Sequence, residues 1–517
     1  PLAAPAPPGG AAAPGSPQEG AGVSEALAEE MPAVQVCVRM RPLLGWERQE
    51  GHLCSAVVLK EGKRGGVTVK PREGNEESGR LRSFRFDAVI GPDCSQEDAW
   101  CLTRVEGMVD KVVAGFHATV FAYGQTGSGK THTMEGFTYG HHNGASAPSA
   151  AAARPKVRLK STPPEQLGLV PRAASLLFER VEAMQERARA EGRVNADTFI
   201  VKASFLQIYN EHVYDLLNPV HTAAQIEAAG RAEDHAGLRI RWDAARRQFF
   251  AENLFEYECQ TADELLDHYG TGLQHKQVAS TGMNVASSRS HTVLVVKLVR
   301  RRGLKLDEGQ DDVDAPAAPV KEVVSKLALV DLAGSERASA SNSAAGGDRN
   351  ARRFHEAVNV NQSLFVLRKV IAALSKRPEG GGAGLHIPYR ESKLTSLLQH
   401  SIGGNGFLLM VACLSPSDKH YEENLSTLSY ASQAASIKNT PTVNIDPKDR
   451  LIQQLEAKLA AAHAYILKHL GVAELPQSLL DAGDAALAKR PRARQFARSA
   501  DKRERRGAEQ VGSQTAP

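Results

Sequence analysis

The chain has 517 residues, of which 42% are hydrophobic, 24% charged and 5% aromatic, enough for a large buried core. Its formal net charge of +4 is too small to indicate a nucleic-acid-binding protein. The 6 cysteines form no Cys-x-x-Cys pair, and no apolar run reaches the roughly 18 residues that a membrane span needs. A disulfide scaffold, a structural zinc site and a membrane span are therefore not expected, and a soluble intracellular protein is predicted.

Composition divides the chain into segments. Residues 1–32 are rich in Pro, Ala and Gly, which predicts disorder. Over residues 33–439, β-rich apolar runs alternate with helical stretches, a pattern typical of an α/β layered domain. Surface insertions are predicted near 136–166, 220–236 and 301–321, where the sequence becomes polar or low in complexity.

Hydrophobic periodicity predicts the main elements of this domain. The clearest strands are Val34–Val38, Ala118–Tyr123, Phe199–Tyr209, Thr292–Val299, Lys326–Asp331 and Phe407–Leu414. The strongest helical patterns are Pro171–Arg189, Glu356–Leu374, Ser392–His400 and Tyr421–Ile437.

Beyond the domain, two prolines in residues 440–447 resist helix formation. A helix is predicted over residues 448–470, where apolar residues such as Leu455 and Leu459 fall at a/d spacing. A short coiled coil that joins two copies and a lone amphipathic helix are both open for this segment. The basic, Pro- and Ala-rich composition of residues 471–517 predicts a disordered tail.

The strongest motif follows the predicted strand Ala118–Tyr123 and fits G-x-x-x-x-G-K-[ST]. Its glycines let backbone N–H groups surround phosphates, its Lys130 would reach the β- and γ-phosphates, and its Thr131 hydroxyl would bind Mg²⁺. A Gly-rich turn without function is the alternative, which the strand-to-helix context disfavours. The motif comprises Gly124, Gln125, Thr126, Gly127, Ser128, Gly129, Lys130 and Thr131.

Two further elements suit a phosphate site. Asp331 ends a buried strand, where a second Mg²⁺ contact belongs, and Gly334 follows it closely enough to offer its N–H to a γ-phosphate. The run Asn284–His291 concentrates hydroxyls around an arginine. Each would alone read as a capped turn or a polar loop, and their combination with the Gly-rich motif makes those readings unlikely.

Together and in this order, these elements resemble the motor domain of kinesins. GQTGSGKT resembles its P-loop, NVASSRSH its switch I and DLAGSE its switch II. The remaining matches are Val36–Pro42, Asn361–Leu364, His386–Thr395 and Leu425–Asn439. The resemblance implies an α/β fold of the P-loop NTPase type over residues 33–439, with a central mixed β-sheet flanked by helices on both faces. Residues 440–447 would be the neck linker.

The resemblance also implies roles for individual residues around bound ATP and Mg²⁺. Arg289 and Glu336 would form the ion pair that closes the site, and Asn361 would couple switch II to the helix that follows. The residues expected near the γ-phosphate or Mg²⁺ are Thr131, Ser287, Ser288, Asp331 and Gly334. The residues expected on the base side of the nucleotide are Arg39, Arg41, Pro42 and His132.

The implied track is the microtubule, whose acidic surface favours basic contacts. The candidate contacts are Arg246, Arg247, Arg349, Arg352, Arg353, Arg390 and Lys393. Ordinary solvated surface charges are the alternative for each. Arg368 stands where kinesins usually carry glycine, which predicts either a stiffer helix or an extra contact with tubulin.

The resemblance implies a microtubule-stimulated ATPase of the cytoplasm and cytoskeleton, plus-end directed because the neck follows the motor core. A weakly motile or non-motile microtubule-binding anchor is the alternative. A GTPase is disfavoured, since no Asn-Lys-x-Asp motif occurs and Arg39 and Pro42 are available for adenine.

Overall fold

The computed structural model describes residues 31–60, 62–69, 82–136, 162–191, 197–218, 237–282, 289–302, 321–336, 348–376 and 386–445, with shorter pieces between 450 and 465. The chain divides into two units, Pro1–Pro447 and Lys448–Pro517. The predicted disorder of residues 1–32 and 471–517, and most of each predicted insertion, lie outside the described residues. The exception is Met31–Pro32, where the prediction was wrong because Met31 is buried in the hydrophobic core.

The first unit is built on a mixed sheet of ten described strands. These are β1 (Val34–Met40), β3 (Gly62–Lys63), β6 (Ala88–Ile90), β7 (His117–Tyr123), β8 (Thr198–Tyr209), β9 (His212–Asp215), β12 (Tyr257–Cys259), β13 (His291–Arg302), β14 (Lys321–Asp331) and β15 (Gly406–Leu414). Their order is β12-β8-β13-β14-β7-β15-β1-β6-β3, and β9 pairs with β8. A three-stranded sheet contains β2 (Ala56–Lys60), β4 (Gly66–Val69) and β5 (Arg82–Arg85), and a hairpin contains β10 (Ile240–Asp243) and β11 (Gln248–Ala251).

The centre of the large sheet is parallel. Strands β14, β7, β15 and β1 run side by side in the same direction, so their carboxyl ends meet at one edge. Asp331 on β14 lies opposite Ala122 on β7, directly before the Gly-rich motif. Ligands of open α/β sheets bind outside the carboxyl ends of such strands.

Helices cover both faces of this sheet. Their bounds are α1 (Gly45–Gln49), α2 (Gln96–Thr103), α3 (Val105–Val113), α4 (Lys130–Met134), α5 (Leu169–Ala190), α6 (Ala262–Gly282), α7 (Asp348–Ser375), α8 (Lys393–Leu397) and α9 (Tyr421–Ala434). One hydrophobic core joins the sheet to α3, α5 and α6, and a second joins its other face to α7, α8 and α9. The predicted fold class, a central mixed sheet flanked by helices, is confirmed.

Strand β15 shows why the sequence pattern predicted buried strands. All nine of its residues are buried, so it reads as a continuous apolar run. Phe407 and Leu409 face the first core, while Leu408 and Met410 face the second. This alternation is the two-residue period of a strand whose faces are both covered by helices.

The predicted helix Ser392–His400 is shorter in the structure, because α8 ends at Leu397. The hydroxyls of Thr395 and Ser396 both donate to the carbonyl of Tyr389, at 2.7 and 3.0 Å. These bonds hold α8 against the turn that precedes it, and the chain from Leu398 to His400 continues in turns. The prediction was therefore wrong about where this helix ends.

The segment after α9 crosses the domain in an extended form over residues 440–445. Thr442 N–H donates to the carbonyl of Asn405 at 3.1 Å, and Asn444 N–H donates to that of Gly115 at 2.9 Å. The carbonyl of Asn444 accepts from Val324 N–H at 3.0 Å. The expected absence of helix from this described part of the segment is confirmed.

In the second unit, the described residues between 450 and 465 are helical. Several apolar side chains there are exposed, with Leu455 at 56% and Leu459 at 71% of their full accessibility. Within the part of the chain that the structure describes, no helix is both long and apolar enough to span a membrane.

Candidate nucleotide-binding site

The Gly-rich motif forms a tight loop between β7 and α4. Gly124 has φ +151°, and a Cβ there would lie 2.3 Å from the carbonyl oxygen of Cys413. Gly129, at φ +99°, is left-handed where the loop enters α4. Glycine is required at Gly124 by both the close approach and the backbone conformation, which lets the loop curl tightly.

Lys130 folds back over this loop. Its ammonium group donates to the carbonyls of Gly124 and Gln125, at 2.9 and 2.8 Å. The side chain is buried, and burial lowers its pKa, while Asp331 acts in the opposite direction. A buried cation held by loop carbonyls is suited to bind phosphate oxygens, which offer stronger, charge-assisted hydrogen bonds.

Three side chains from distant parts of the sequence meet beside the loop. Thr131 Oγ1 donates to Asp331 Oδ2 at 2.7 Å, and Lys276 Nζ lies 4.0 Å from the same oxygen. Asp331 Oδ1 is buried and has no hydrogen-bond partner among the described residues. A hydroxyl beside a carboxylate with an unused oxygen is the oxygen-rich donor set that Mg²⁺ and its bound water prefer, so these residues fit a magnesium ion.

Glu336 reaches the loop from the other side. Its carboxylate accepts from Thr126 N–H at 2.8 Å and from the Thr126 hydroxyl. A Cβ at Gly334 would lie 2.3 Å from both the Glu336 carboxylate and the Thr126 hydroxyl, so a larger residue there would have to displace these side chains. The described contacts of this carboxylate are with Thr126, and the ion pair with Arg289 stays a prediction. Ser287 and Ser288 lie outside the described residues.

His291, the last residue of the NVASSRSH run, connects the segment after β14 to α7. Its Nδ1 accepts from Ala333 N–H at 3.0 Å, which leaves Nε2 to donate to Ser363 Oγ at 2.7 Å. Burial, together with the positive charges of Lys130 and Lys276, lowers its pKa to about 3. The imidazole is therefore neutral and can act as an acceptor and a donor at once.

The base-side residues occupy two different environments. Arg39 is buried, and its Nη1 donates to Gln96 Oε1 at 2.8 Å, while Gln96 Nε2 donates to the carbonyl of His132 at 2.8 Å. Burial and the charge of Arg39 lower the pKa of His132. Pro42 and His132 are exposed, so their side chains are accessible to a base. Arg39 is therefore buried beneath Pro42 and His132 and is linked to His132 through Gln96.

Arg41 fastens the first strand to the Gly-rich loop. Its Nε donates to the carbonyl of Gly127 at 2.6 Å, and its guanidinium grips the Glu47 carboxylate with two bonds of 2.7 and 2.6 Å. Glu47 is fully buried, and the hydrogen bonds from Arg41 lower its pKa. This bidentate pair holds Arg41 in place, so that Arg41 stabilises the conformation of the loop.

The candidate track residues lie in the β10–β11 hairpin, at the start of α8 and on α7. Arg246 and Arg247 are exposed in the turn of the β10–β11 hairpin, and Lys393 is exposed at the start of α8. The Arg390 guanidinium lies 5.8 Å from the ring centre of Phe249, which connects it to the hairpin. Arg349, Arg352, Arg353 and Asn361 belong to α7.

Sequence reasoning missed several residues of this site. Lys276, Gln96 and Glu47 all act on it, yet each lies on a separate helix outside the Gly-rich and switch motifs. Lys276 lies within α6, and its burial is what distinguishes it from a solvated lysine. These residues act through contacts between distant parts of the chain, and no local sequence motif marks such contacts.

Comparison with known proteins gives concordant similarities. The family model described as the kinesin motor domain matches residues 39–437. The chain is 36% identical to the human chromosome-associated kinesin KIF4A over 83% of this chain and 29% of that protein. It is 35% identical to the bovine kinesin-like protein KIF3C over 84% of this chain and 49% of that protein. The chain thus spans less than half the length of each relative.

Among solved structures, the fold is similar to one titled "Structure of a fast kinesin: Implications for ATPase mechanism and interactions with microtubules". The TM-score is 0.59 with 28% sequence identity, and the match covers 80% of this chain and 94% of the other.

Proposed function

The chain belongs to the kinesin motor domain family, and from this premise we propose that it is a microtubule-stimulated, Mg²⁺-dependent ATPase that moves toward microtubule plus ends. The observation that carries the proposal is the meeting of two distant motifs, since both ends of the DLAGSE segment lie against the Gly-rich motif. Thr131 bonds Asp331 at 2.7 Å, and Thr126 N–H bonds Glu336 at 2.8 Å. Both ends of the switch II segment therefore contact the candidate phosphate site.

Each residue of this site has a chemical task. Lys130 would replace its hydrogen bonds to the loop carbonyls with hydrogen bonds to the β- and γ-phosphates. The backbone N–H groups of the loop would bind the remaining phosphate oxygens. Thr131 and Asp331 would hold Mg²⁺, which when bound offsets the charge that develops on the phosphates. Pro42 and His132 would contact the adenine.

Glu336 is suited to report the γ-phosphate. Its carboxylate contacts Thr126 beside the close-packed Gly334, so a phosphate entering there would displace or reorient it. Such a phosphate can order switch segments and release them on hydrolysis. We infer that this exchange is how ATP changes the conformation of the switch II segment, with Arg289 as the partner of Glu336 in the closed site.

A route from the site to the track runs through His291. This side chain bonds Ala333 in the switch II segment and Ser363 on α7. Further along α7, Lys369 forms a 2.7 Å ion pair with Glu391, next to the candidate track residue Arg390. These contacts support a proposal that movement of switch II is passed through α7 to the microtubule-binding surface.

The extended segment after α9 supports the proposed direction. Asn444 bonds Gly115 and Val324 through its backbone, and its Oδ1 accepts from Asn405 Nδ2 at 2.9 Å. We propose that residues 440–447 are a neck linker that docks on the motor core in this way. The exposed Leu455 and Leu459 further on support, as a separate proposal, a homodimer formed through residues 448–470.

The proposed function implies a location on cytoplasmic microtubules and is tested by surface gliding. The full chain is immobilised through its C-terminus, and polarity-marked microtubules are observed with Mg·ATP. Gliding with the minus end leading is expected for a plus-end-directed motor. Plus-end-leading movement would contradict the direction, and ATP-independent binding without movement would instead support a microtubule anchor.

A further inference from the structure

We propose that Arg368 is a positioning residue that ties α7 to the strand entering the phosphate-binding loop, and thereby strengthens coupling between the nucleotide and the track. Arg368 projects from the C-terminal third of α7 and is half-buried. The inference rests on the proposed motor function, and it assigns a specific task to a residue outside the nucleotide-binding and switch motifs.

The first contact is with the end of β7. Arg368 Nε donates to the hydroxyl of Tyr123 at 2.7 Å. Tyr123 is fully buried and directly precedes Gly124, the first residue of the Gly-rich loop. A charged donor on a neutral acceptor is among the stronger hydrogen bonds in proteins, so α7 is anchored one residue from the phosphate site.

The second contact is with switch II. Arg368 Nη2 donates to the carbonyl of Ser335 at 3.4 Å, and Ser335 N–H donates to the carbonyl of Gly124 at 3.1 Å. Ser335 is therefore connected to the loop on one side and to α7 on the other. The next residue, Glu336, binds Thr126. A rearrangement of this segment would disturb the Arg368 contacts.

Aromatic rings fix the position of the guanidinium. Its central carbon lies 5.8 Å from the Tyr123 ring centre and 6.0 Å from that of Tyr430 on α9, and the two rings lie 4.5 Å apart. These distances are within the range of cation–π attraction. The Tyr430 hydroxyl is buried without a hydrogen-bond partner among the described residues, so Tyr430 acts on Arg368 through its ring alone.

The geometry also decides between the expectations for this position. The side chain turns inward to Tyr123 and Ser335, which disagrees with an arginine that reaches out to tubulin. Its neighbour Lys369 turns the other way and pairs with Glu391. Adjacent residues of α7 thus connect the helix to the nucleotide side and to the proposed track side.

The test compares microtubule dissociation constants of the full chain in ADP and in a non-hydrolysable ATP analogue. Their ratio measures the coupling between the two sites. For Arg368→Ala, which preserves helix propensity, we expect the ratio to fall about tenfold, the scale of one charge-assisted hydrogen bond. Tyr123→Phe should lower it in the same direction. Because the Tyr123 hydroxyl also bonds the Ser335 side chain, the double variant should lose less than the sum of the two single effects.

Matched variants separate positioning from general structure. Tyr430→Phe removes a hydroxyl without a described partner, and Lys376→Ala removes an exposed cation just beyond the end of α7. Both should leave the ratio unchanged. Arg368→Lys keeps the charge but loses the planar fork, so it should restore only part of the coupling.

Release of a fluorescent ADP without microtubules gives an independent readout. Loosening Ser335 from α7 should accelerate release several-fold in Arg368→Ala, and Tyr123→Phe should reproduce the direction. If the unsubstituted chain bound microtubules equally well in ADP and in the ATP analogue, the motor proposal would be overturned. The rates of ADP release would still test the role of Arg368. An unchanged ratio and release rate in Arg368→Ala, or additive effects in the double variant, would overturn the role of Arg368.

Discussion

At the scale of single residues, Lys130 is the most direct test of the phosphate site. Its ammonium contacts only loop carbonyls in the described structure, so removing it should delete the principal cation for the β- and γ-phosphates. We expect Lys130→Ala to lose ATP binding by at least about a hundredfold, since charged hydrogen bonds contribute roughly 1.5–3 kcal/mol each. Equilibrium binding of a fluorescent ATP analogue measures this. Lys297→Ala, which removes a lysine paired with Glu256, is the control, and normal turnover by Lys130→Ala would refute the assignment.

Glu336 should separate nucleotide binding from hydrolysis. The carboxylate lies against Thr126 and not against the proposed base-side residues, so Glu336→Ala should bind ATP normally. Without the carboxylate the switch segment cannot close, and turnover should fall by at least about a hundredfold, the scale of losing one preorganised polar group. Single-turnover kinetics measure hydrolysis, and cosedimentation should find the variant held on microtubules in ATP. Rapid release from microtubules in ATP would argue against this role.

Buried histidines predict how stability depends on pH. Burial and nearby lysines lower the pKa of His291 and of His400 to about 3, whereas an unfolded histidine titrates near about 6.5. The unfolded chain therefore takes up these protons first, so stability present above about pH 6.5 is lost as the pH falls toward 3. The loss is about 1.4 kcal/mol per pH unit for each histidine.

Urea unfolding at about pH 7.5 and 5.5 measures this slope. His291→Asn keeps an acceptor toward Ala333 N–H but cannot titrate, so its stability should depend less on pH than that of the unsubstituted chain. Equal slopes in the two proteins, or greater stability at the lower pH, would contradict the burial of a neutral His291.

At the scale of elements, the sequence predicted the strands well and the side-chain contacts between helices and strands poorly. Strands such as β7 and β15 are buried on both faces, so they appear as largely apolar runs, broken in β7 only by His117 and Thr119. The Gly-rich loop is local in sequence, and its motif determines its shape. The Lys276–Asp331 and Arg368–Tyr123 contacts join residues far apart in the chain, and no periodicity encodes them.

The segment after α9 gives an element-scale prediction. Asn444 is held by its backbone and by Asn405, so Asn444→Ala should weaken docking of residues 440–445 while leaving the nucleotide site intact. We expect gliding to slow several-fold with microtubule-stimulated ATP turnover retained, because a side-chain hydrogen bond contributes about 1 kcal/mol. Thr440→Ala is a nearby control, since the Thr440 bond to Gly404 comes from the backbone. Unchanged gliding in Asn444→Ala would contradict a docking role.

At the scale of the whole molecule, the candidate nucleotide site lies at the carboxyl edge of the sheet, and the candidate track residues lie in the β10–β11 hairpin, beside α8 and on α7. The formal net charge of the chain is only +4, so attraction to an acidic track must come from local groups such as Arg246 and Arg390. Interactions between exposed charges are screened beyond about 8 Å at physiological ionic strength. Microtubule affinity should therefore fall steeply with added salt, whereas ATP affinity should change little.

The central claim, that the nucleotide site and the track surface are coupled, is tested most directly by steady-state hydrolysis of Mg·ATP with and without polymerised microtubules at low salt. Microtubules are expected to stimulate turnover strongly, and the stimulation should decline as salt is added. Basal turnover that microtubules do not raise would contradict the coupling while leaving the nucleotide site in place.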